Sequence, residues 1–164
     1  MGIPKMPKIT TRKDERGPTS ESQTRTDIFS PEKRSEIMSR VRHEDSGPEL
    51  QVRSALHAAG FRFRLHRKDL PGTPDIVLPK YRLAIFVHGC FWHGHADCKH
   101  SVLPKTNTEF WKNKFERNKA RDQMVRLELL KIGWHVLVIW ECQIKLLTEI
   151  VNELKNCTSI KGSK

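Results

Sequence analysis

The sequence predicts an α/β domain: a mixed β-sheet with helices packed on it. Three observations predict it. Two short apolar runs, DIVL at 75–78 and RLAIFV at 82–87, read as adjacent central strands. WHVLVIWE at 134–141 reads as a later strand, and segments with helical start and stop signals lie before, between and after these runs. The 164 residues fit one domain of ordinary size, with a core large enough to fold alone.

Taken in order, residues 1–29 are rich in Lys, Arg, Thr, Ser and Pro and lack apolar periodicity. They cannot offset the entropy of ordering and read as a disordered basic arm. The folded domain is expected over 30–157, with 158–164 a flexible tail. Ser30-Pro31 reads as an N-cap followed by proline at the first helical position, opening a short helix through about Arg42. Pro48-Glu49 starts a second helix. Its Val52, Ala55, Leu56 and Ala59 fall at i, i+3, i+4 and i+7, which buries one face, and Gly60 supplies the stop. Phe61, Phe63 and Leu65 alternate with Arg62, Arg64 and His66, as in a half-buried strand. DLPGTP is the turn that follows, and Pro79-Lys80-Tyr81 separates the two central strands. HGCFWHGHADC, residues 88–98, leaves directly from the end of the second. Residues 108–132 read as helix in one piece or two, with Leu127, Leu130 and Ile132 near the end and Gly133 as the stop. A helix from about Ile144 to Asn156 closes the domain after the last strand.

Charge narrows the partners. Thirty Lys+Arg against 19 Asp+Glu give a net charge of +11 and a pI near 9.8, which favours a polyanion, most often nucleic acid. No uncharged apolar run reaches the roughly 18 residues a membrane span needs, and MGIPKMPKITTRKDER lacks the apolar segment of a signal peptide. A cytoplasmic protein without a membrane partner is expected. There its four cysteines are more often metal ligands or free thiols than disulfides.

Spacing carries the metal reading. Cys90, His95 and Cys98 lie at i, i+5 and i+8, so one loop can wrap a tetrahedral ion, and Cys142 follows a strand. Three thiolates and an imidazole are a common closed set for structural zinc; the alternative is that Cys142 is a buried apolar thiol. Cys157 reads as a bystander. His93 alternates with His95, so in an extended segment the two would face opposite ways, one toward metal and the other toward a substrate. A free imidazole suits general acid or base work near neutral pH. Asp75, beside a strand that ends in a His-rich loop, suits a carboxylate that holds magnesium against a scissile phosphate; otherwise it is a turn residue. Phe91-Trp92 lies between two ligand candidates in a polar loop, which favours exposure over core packing, and Trp111, at the start of an amphipathic helix, reads as core as readily as exposed.

PGTPDIV, FVHGCFWHGHADC, TEFW and VIWEC, in this order, resemble the very-short-patch repair (Vsr) endonucleases from about Arg34 to Ile144. The resemblance implies a restriction-endonuclease-like fold and magnesium-dependent nicking of one strand of duplex DNA, 5′ to the thymine of a G·T mismatch left by deaminated 5-methylcytosine. It implies that Asp75 binds magnesium with the main-chain carbonyl of Val87. His93 is then the general base, and Glu49 and His88 are supporting catalytic residues. Zinc falls on Cys90, His95, Cys98 and Cys142. Phe91, Trp92 and Trp111 match the aromatic wedge, and Met38 the residue that enters from the opposite groove. A bacterial, nucleoid-associated monomer follows, repairing DNA with partners the sequence does not name. Beside one member of that family the chain differs at three points: one more residue between His95 and Cys98, Val87 in place of threonine, and Gly94 in place of a histidine. Wedges of this kind replace stacking that costs a few kcal/mol per step with aromatic faces worth about 1–3 kcal/mol per base. Two alternatives stand beside this reading: a nuclease of the same fold with another DNA target, in restriction or a mobile element, and a zinc-stabilised DNA-binding protein without catalysis.

Overall fold

The structure, a computed structural model, describes residues 30–39 and 44–160. The expected basic arm, the end of the first helix and the last four residues of the tail lie outside them. Ten residues of the first helical segment are described: Ser30 accepts the Lys33 amide at 3.2 Å on its hydroxyl, and α1 runs Pro31–Ser39.

α2, Gly47–Ala58, starts from a reciprocal cap. The Ser46 hydroxyl accepts from the Glu49 amide while the Glu49 carboxylate accepts from the Ser46 amide, so two otherwise unpaired donors at the helix start are satisfied. Val52 and Leu56 are buried on its inner face. The half-buried strand expected at 61–66 shrinks to β1, Arg64–Leu65, both exposed. Phe61 is spent instead on the helix terminus, where its amide donates to the Leu56 carbonyl at 3.0 Å and its ring enters the core.

β2 spans Ile76–Leu78 and is fully buried; a 3-10 turn at Pro79–Tyr81 leads to β3, Leu83–His88. α3 is one helix, Thr108–Lys131, followed by β4, His135–Trp140. The last helix is entered later than its pattern suggests: Glu141–Leu146 forms a 3-10 segment and α4 covers Leu147–Ile160. The sheet order is β1-β2-β3-β4, with the first two pairings antiparallel and β3/β4 parallel. This is the mixed sheet the sequence predicts.

Period-2 alternation sends residues to two cores. Ile76, Leu78, Leu83, Ile85 and Ile139 meet α2 and α4 through Val52, Leu56, Leu147 and Val151. On the other face Val77 and Ala84 meet Leu129 of α3, with Phe86, Val125, Trp134 and Val136 around them. The sheet is thus covered on both sides by helix. Leu127, Leu130 and Ile132, the apolar residues that suggest an amphipathic end to α3, are 51%, 46% and 47% exposed. Its inner stripe is instead Trp111, Phe115, Asn118, Asp122, Val125 and Leu129, at alternating steps of four and three along the helix. Two members of that stripe are polar, and they face the site.

Candidate active site

Parallel β3 and β4 end side by side, with His88 registered against Trp140. β2 runs the other way, so Asp75, just before it, arrives at the same end. Chain exits at the carboxyl ends of parallel strands leave a crevice. Here it is a cleft of about 960 Å³, lined by Glu49, Asp75, His88, His93, Asp122 and Trp140 among others.

Asp75 is held by the backbone: its Oδ2 accepts from the Val87 amide at 2.7 Å. Burial raises its pKa, opposed by that hydrogen bond and reinforced by the negative Glu49 nearby. Glu49 itself is fully engaged. Ser46 donates its hydroxyl to Oε1 at 2.7 Å, and Arg53 Nη2 and the Asp45 amide donate to Oε2 at 2.9 and 3.1 Å. Arg53 also donates to Asp45 and, through Nη2, meets His66 Nε2 at 3.0 Å. Since arginine only donates, His66 must accept there.

His93 Nδ1 lies 2.6 Å from Asp122 Oδ2. A carboxylate only accepts, so Nδ1 carries the proton and Nε2 keeps its lone pair for an incoming group. The His93 ring stacks on His88 at 3.7 Å and 11°. Burial pushes the His88 imidazole down to about 4, with the cationic form of His93 adding to the effect, so at neutral pH His88 is an uncharged spacer beneath His93.

The loop between them is built of turns, not extended chain: the amides of His93 and His95 donate to the carbonyls of Gly89 and Cys90 at 3.2 and 3.0 Å. The alternation argument for separating His93 from His95 therefore fails, yet the two rings do diverge. His95 stacks on Trp140 at 4.1 Å and 6° and points Nδ1 at the sulfurs of Cys90 and Cys142, 3.6 and 3.4 Å away. With Cys98, these ligand atoms all lie within 4.8 Å of one another. A tetrahedral ion with sulfur at about 2.3 Å and nitrogen at about 2.0–2.1 Å needs sulfur-to-nitrogen edges of about 3.5 Å, so the donor set fits zinc. Burial pushes the Cys90 thiol up to about 12, whereas the His100 amide beside Cys98 holds that thiol below its usual range. Crowded thiols of this kind ionise fully only against a cation. Cys157 is exposed and apart from the group.

Phe91 and Trp92 of the loop and Trp111 at the start of α3 form one half-buried aromatic group. The Phe91 centroid is 5.2 Å from Trp92, 5.1 Å from Trp111 and 5.3 Å from Phe115. Asn118 ties the loop to α3 by donating to the Trp92 carbonyl at 2.7 Å. Lys114 Nζ stands 5.2 Å from both tryptophan rings, within cation–π range.

A family model described as DNA mismatch endonuclease Vsr matches residues 26–100. Type II nicking enzyme V.XorIIP of Xanthomonas oryzae pv. oryzae is 52% identical over 131 residues, covering 80% of this chain and 96% of that protein. DNA mismatch endonuclease Vsr of Escherichia coli K12 is 38% identical over 127 residues, covering 77% of this chain and 81% of that protein. The chain belongs to the Vsr family of DNA endonucleases. A second nicking enzyme, V.NmeAIP of Neisseria meningitidis serogroup A, is 44% identical over 138 residues, covering 80% and 98% of the two chains.

Of the residues a Vsr resemblance singles out, Glu49, Asp75, Val87, His88 and His93 all line one cleft, and the thiol set converges beside it. Asp75 joins none of the three clusters of metal-capable groups among the described residues; His88, His93 and Asp122 form one, and Asp45, Glu49 and His66 another. The guanidinium of Arg53 already sits in the last. Met38's side chain lies outside the described residues. Sequence reasoning does not find Asp122 or Arg53, because each acts through a partner far away in the chain or hidden within α2. No helix among the described residues is long and apolar enough to cross a membrane.

Proposed function

We propose that this Vsr-family enzyme nicks one strand of duplex DNA on the 5′ side of the thymine in a G·T mismatch, using magnesium. One observation carries the reading: the loop after β3 presents the aromatic pair Phe91-Trp92 immediately before His93, which lines the cleft and is oriented by Asp122. Hydrolytic base and stacking probe are thus adjacent in one loop, which Asn118 and Asp122 both tie to α3. In this reading the sheet and its helices form a restriction-endonuclease-like core, residues 30–157 carry the activity, and 1–29 add salt-sensitive phosphate contacts. It acts as a monomer in the bacterial cytoplasm, at the nucleoid.

Cys90, His95, Cys98 and Cys142 hold structural zinc, which the donor chemistry and the sulfur-to-nitrogen spacing favour. Asp75 holds magnesium with the Val87 carbonyl, favoured by a half-buried carboxylate next to a second negative charge, a situation a divalent cation relieves. When bound, magnesium stabilises charge developing on the phosphate. His93 Nε2 takes a proton from water as the water oxygen bonds to phosphorus and the bond to the leaving nucleoside oxygen breaks. Asp122 stabilises the imidazolium formed, Glu49 keeps α2 and the acidic floor in place, and His88 supports the base by stacking. Phe91, Trp92 and Trp111 wedge into the stack, which opens more cheaply at a mismatch, and Met38 enters from the other groove.

Greater identity to two type II nicking enzymes than to the E. coli mismatch endonuclease favours a second reading of the target: the same nick in a different flanking sequence. Nicking assays on matched and G·T duplexes with varied flanks separate these. Preferential cutting of G·T supports the proposal, and equal cutting of both duplexes removes it.

A further inference from the structure

The cleft is electrostatically two-sided. Its floor carries Asp75 and Glu49, while the α3 wall carries Lys119, Arg121 and Arg126. A phosphodiester strand is repelled by the first unless a cation intervenes and is attracted by the second. Lys119 packs against the loop that bears His93: a β-carbon on Gly94 would lie 2.9 Å from Lys119 Cε and 3.3 Å from its Nζ. Gly94 also has φ +57, a left-handed backbone that side chains disfavour. The left-handed backbone favours glycine after His93, and a side chain there would have to displace the end of Lys119. The ammonium is not neutralised. Among the described residues it makes no ion pair, although Asp122 lies less than one helical turn away; that carboxylate is taken by His93 on one oxygen and faces Arg121 at 3.7 Å on the other.

We infer that Lys119 Nζ binds a non-bridging phosphate oxygen of the cleaved strand beside the scissile phosphate, with Gly94 leaving the room it needs. The inference rests on the reading of the chain as a DNA nickase. It adds a phosphate-binding residue on the α3 wall of the cleft, opposite Asp75 and Glu49. A compact, strongly hydrated charge on a flexible stem suits this contact better than a bidentate fork, and seating it against the His93 loop couples strand position to the base.

The test uses the full chain and a 20-base-pair duplex, matched or with one G·T pair. Binding is measured without divalent ion over a range of salt, and steady-state nicking with magnesium. Lys119→Ala should flatten the plot of log affinity against log salt by about 0.9, the loss of one phosphate contact, equally on both duplexes. KM should rise several-fold with kcat within twofold, and Lys119→Arg should restore most of the slope. Gly94→Ala should reproduce the flattened slope, and adding it to Lys119→Ala should cost nothing further. A wild-type slope and KM in Lys119→Ala would overturn the inference. Multiplying effects in the double variant would overturn the part played by Gly94. If Gly94→Ala does not fold, the two Lys119 variants decide alone. Failure of the wild type to prefer G·T would sink the mismatch reading but leave the slope comparison intact on either duplex.

Discussion

Two imidazoles two residues apart in one loop meet opposite surroundings. His95 is flat against Trp140 and aimed at two sulfurs; His93 is flat against His88 and aimed at a carboxylate. The difference is one of partner chemistry. In the proposed function a zinc ion among the thiols would use the His95 Nδ1 lone pair, whereas Asp122 accepts the hydrogen bond from His93 Nδ1–H and leaves the opposite nitrogen to act as a base. On the proposed function one side of the loop is scaffold and the other is chemistry, with Gly94 between them.

The sharpest way to break the comparison is to remove the acidic floor. Asp75→Ala should lower single-turnover nicking by about 10³-fold or more, a loss of several kcal/mol of transition-state stabilisation, with thermal midpoint unchanged or raised. A raised midpoint is allowed because Asp75 is half-buried and its ionised form is disfavoured. Wild-type nicking by this variant would move the metal site elsewhere, the His88, His93 and Asp122 cluster being the next candidate.

Asp122→Asn should cost less, about 10–100-fold in kcat with little change in KM, since the base remains but loses the charge that stabilises its protonated form. An unchanged kcat would show that His93 needs no orienting partner. A smaller effect is expected at the wedge: Phe91→Ala should reduce the preference for G·T over matched duplex by about tenfold, the scale of one lost stacking contact, while leaving metal content alone.

The smallest effect is on stability. His88 has its pKa depressed to about 4 from 6.5, so between these values the unfolded chain binds more protons than the folded one. Stability must then rise with pH from about 4 to about 6.5 and level off above. His88→Phe should remove that part of the slope, seen as a smaller difference in unfolding midpoint between pH 5 and pH 7 than in wild type.

Much of this arrangement is legible in the sequence. The apolar runs at 82–87 and 134–141 read as strands, and the i, i+5, i+8 spacing gathers Cys90, His95 and Cys98 before any coordinate is known. What stays hidden has a physical reason. The inner stripe of α3 includes Asn118 and Asp122, so apolar periodicity points to Leu127 and Leu130, which are exposed, and misses the helix face that matters. Asp122 owes its role to an imidazole 29 residues earlier in the chain. Arg53 owes its burial to three partners in α2 and the segments flanking it. Tertiary pairing of polar residues leaves no period to read.

The division of the loop is tested most directly by one paired measurement: metal content and single-turnover nicking of a G·T duplex for His93→Ala beside Cys142→Ser. His93→Ala should keep a wild-type complement of zinc and lose nicking by about 10²–10⁴-fold, the usual share of a general base, while Cys142→Ser should lose the metal and stability together. A His93→Ala enzyme that nicks at the wild-type rate, or that loses its zinc as Cys142→Ser does, would contradict the account.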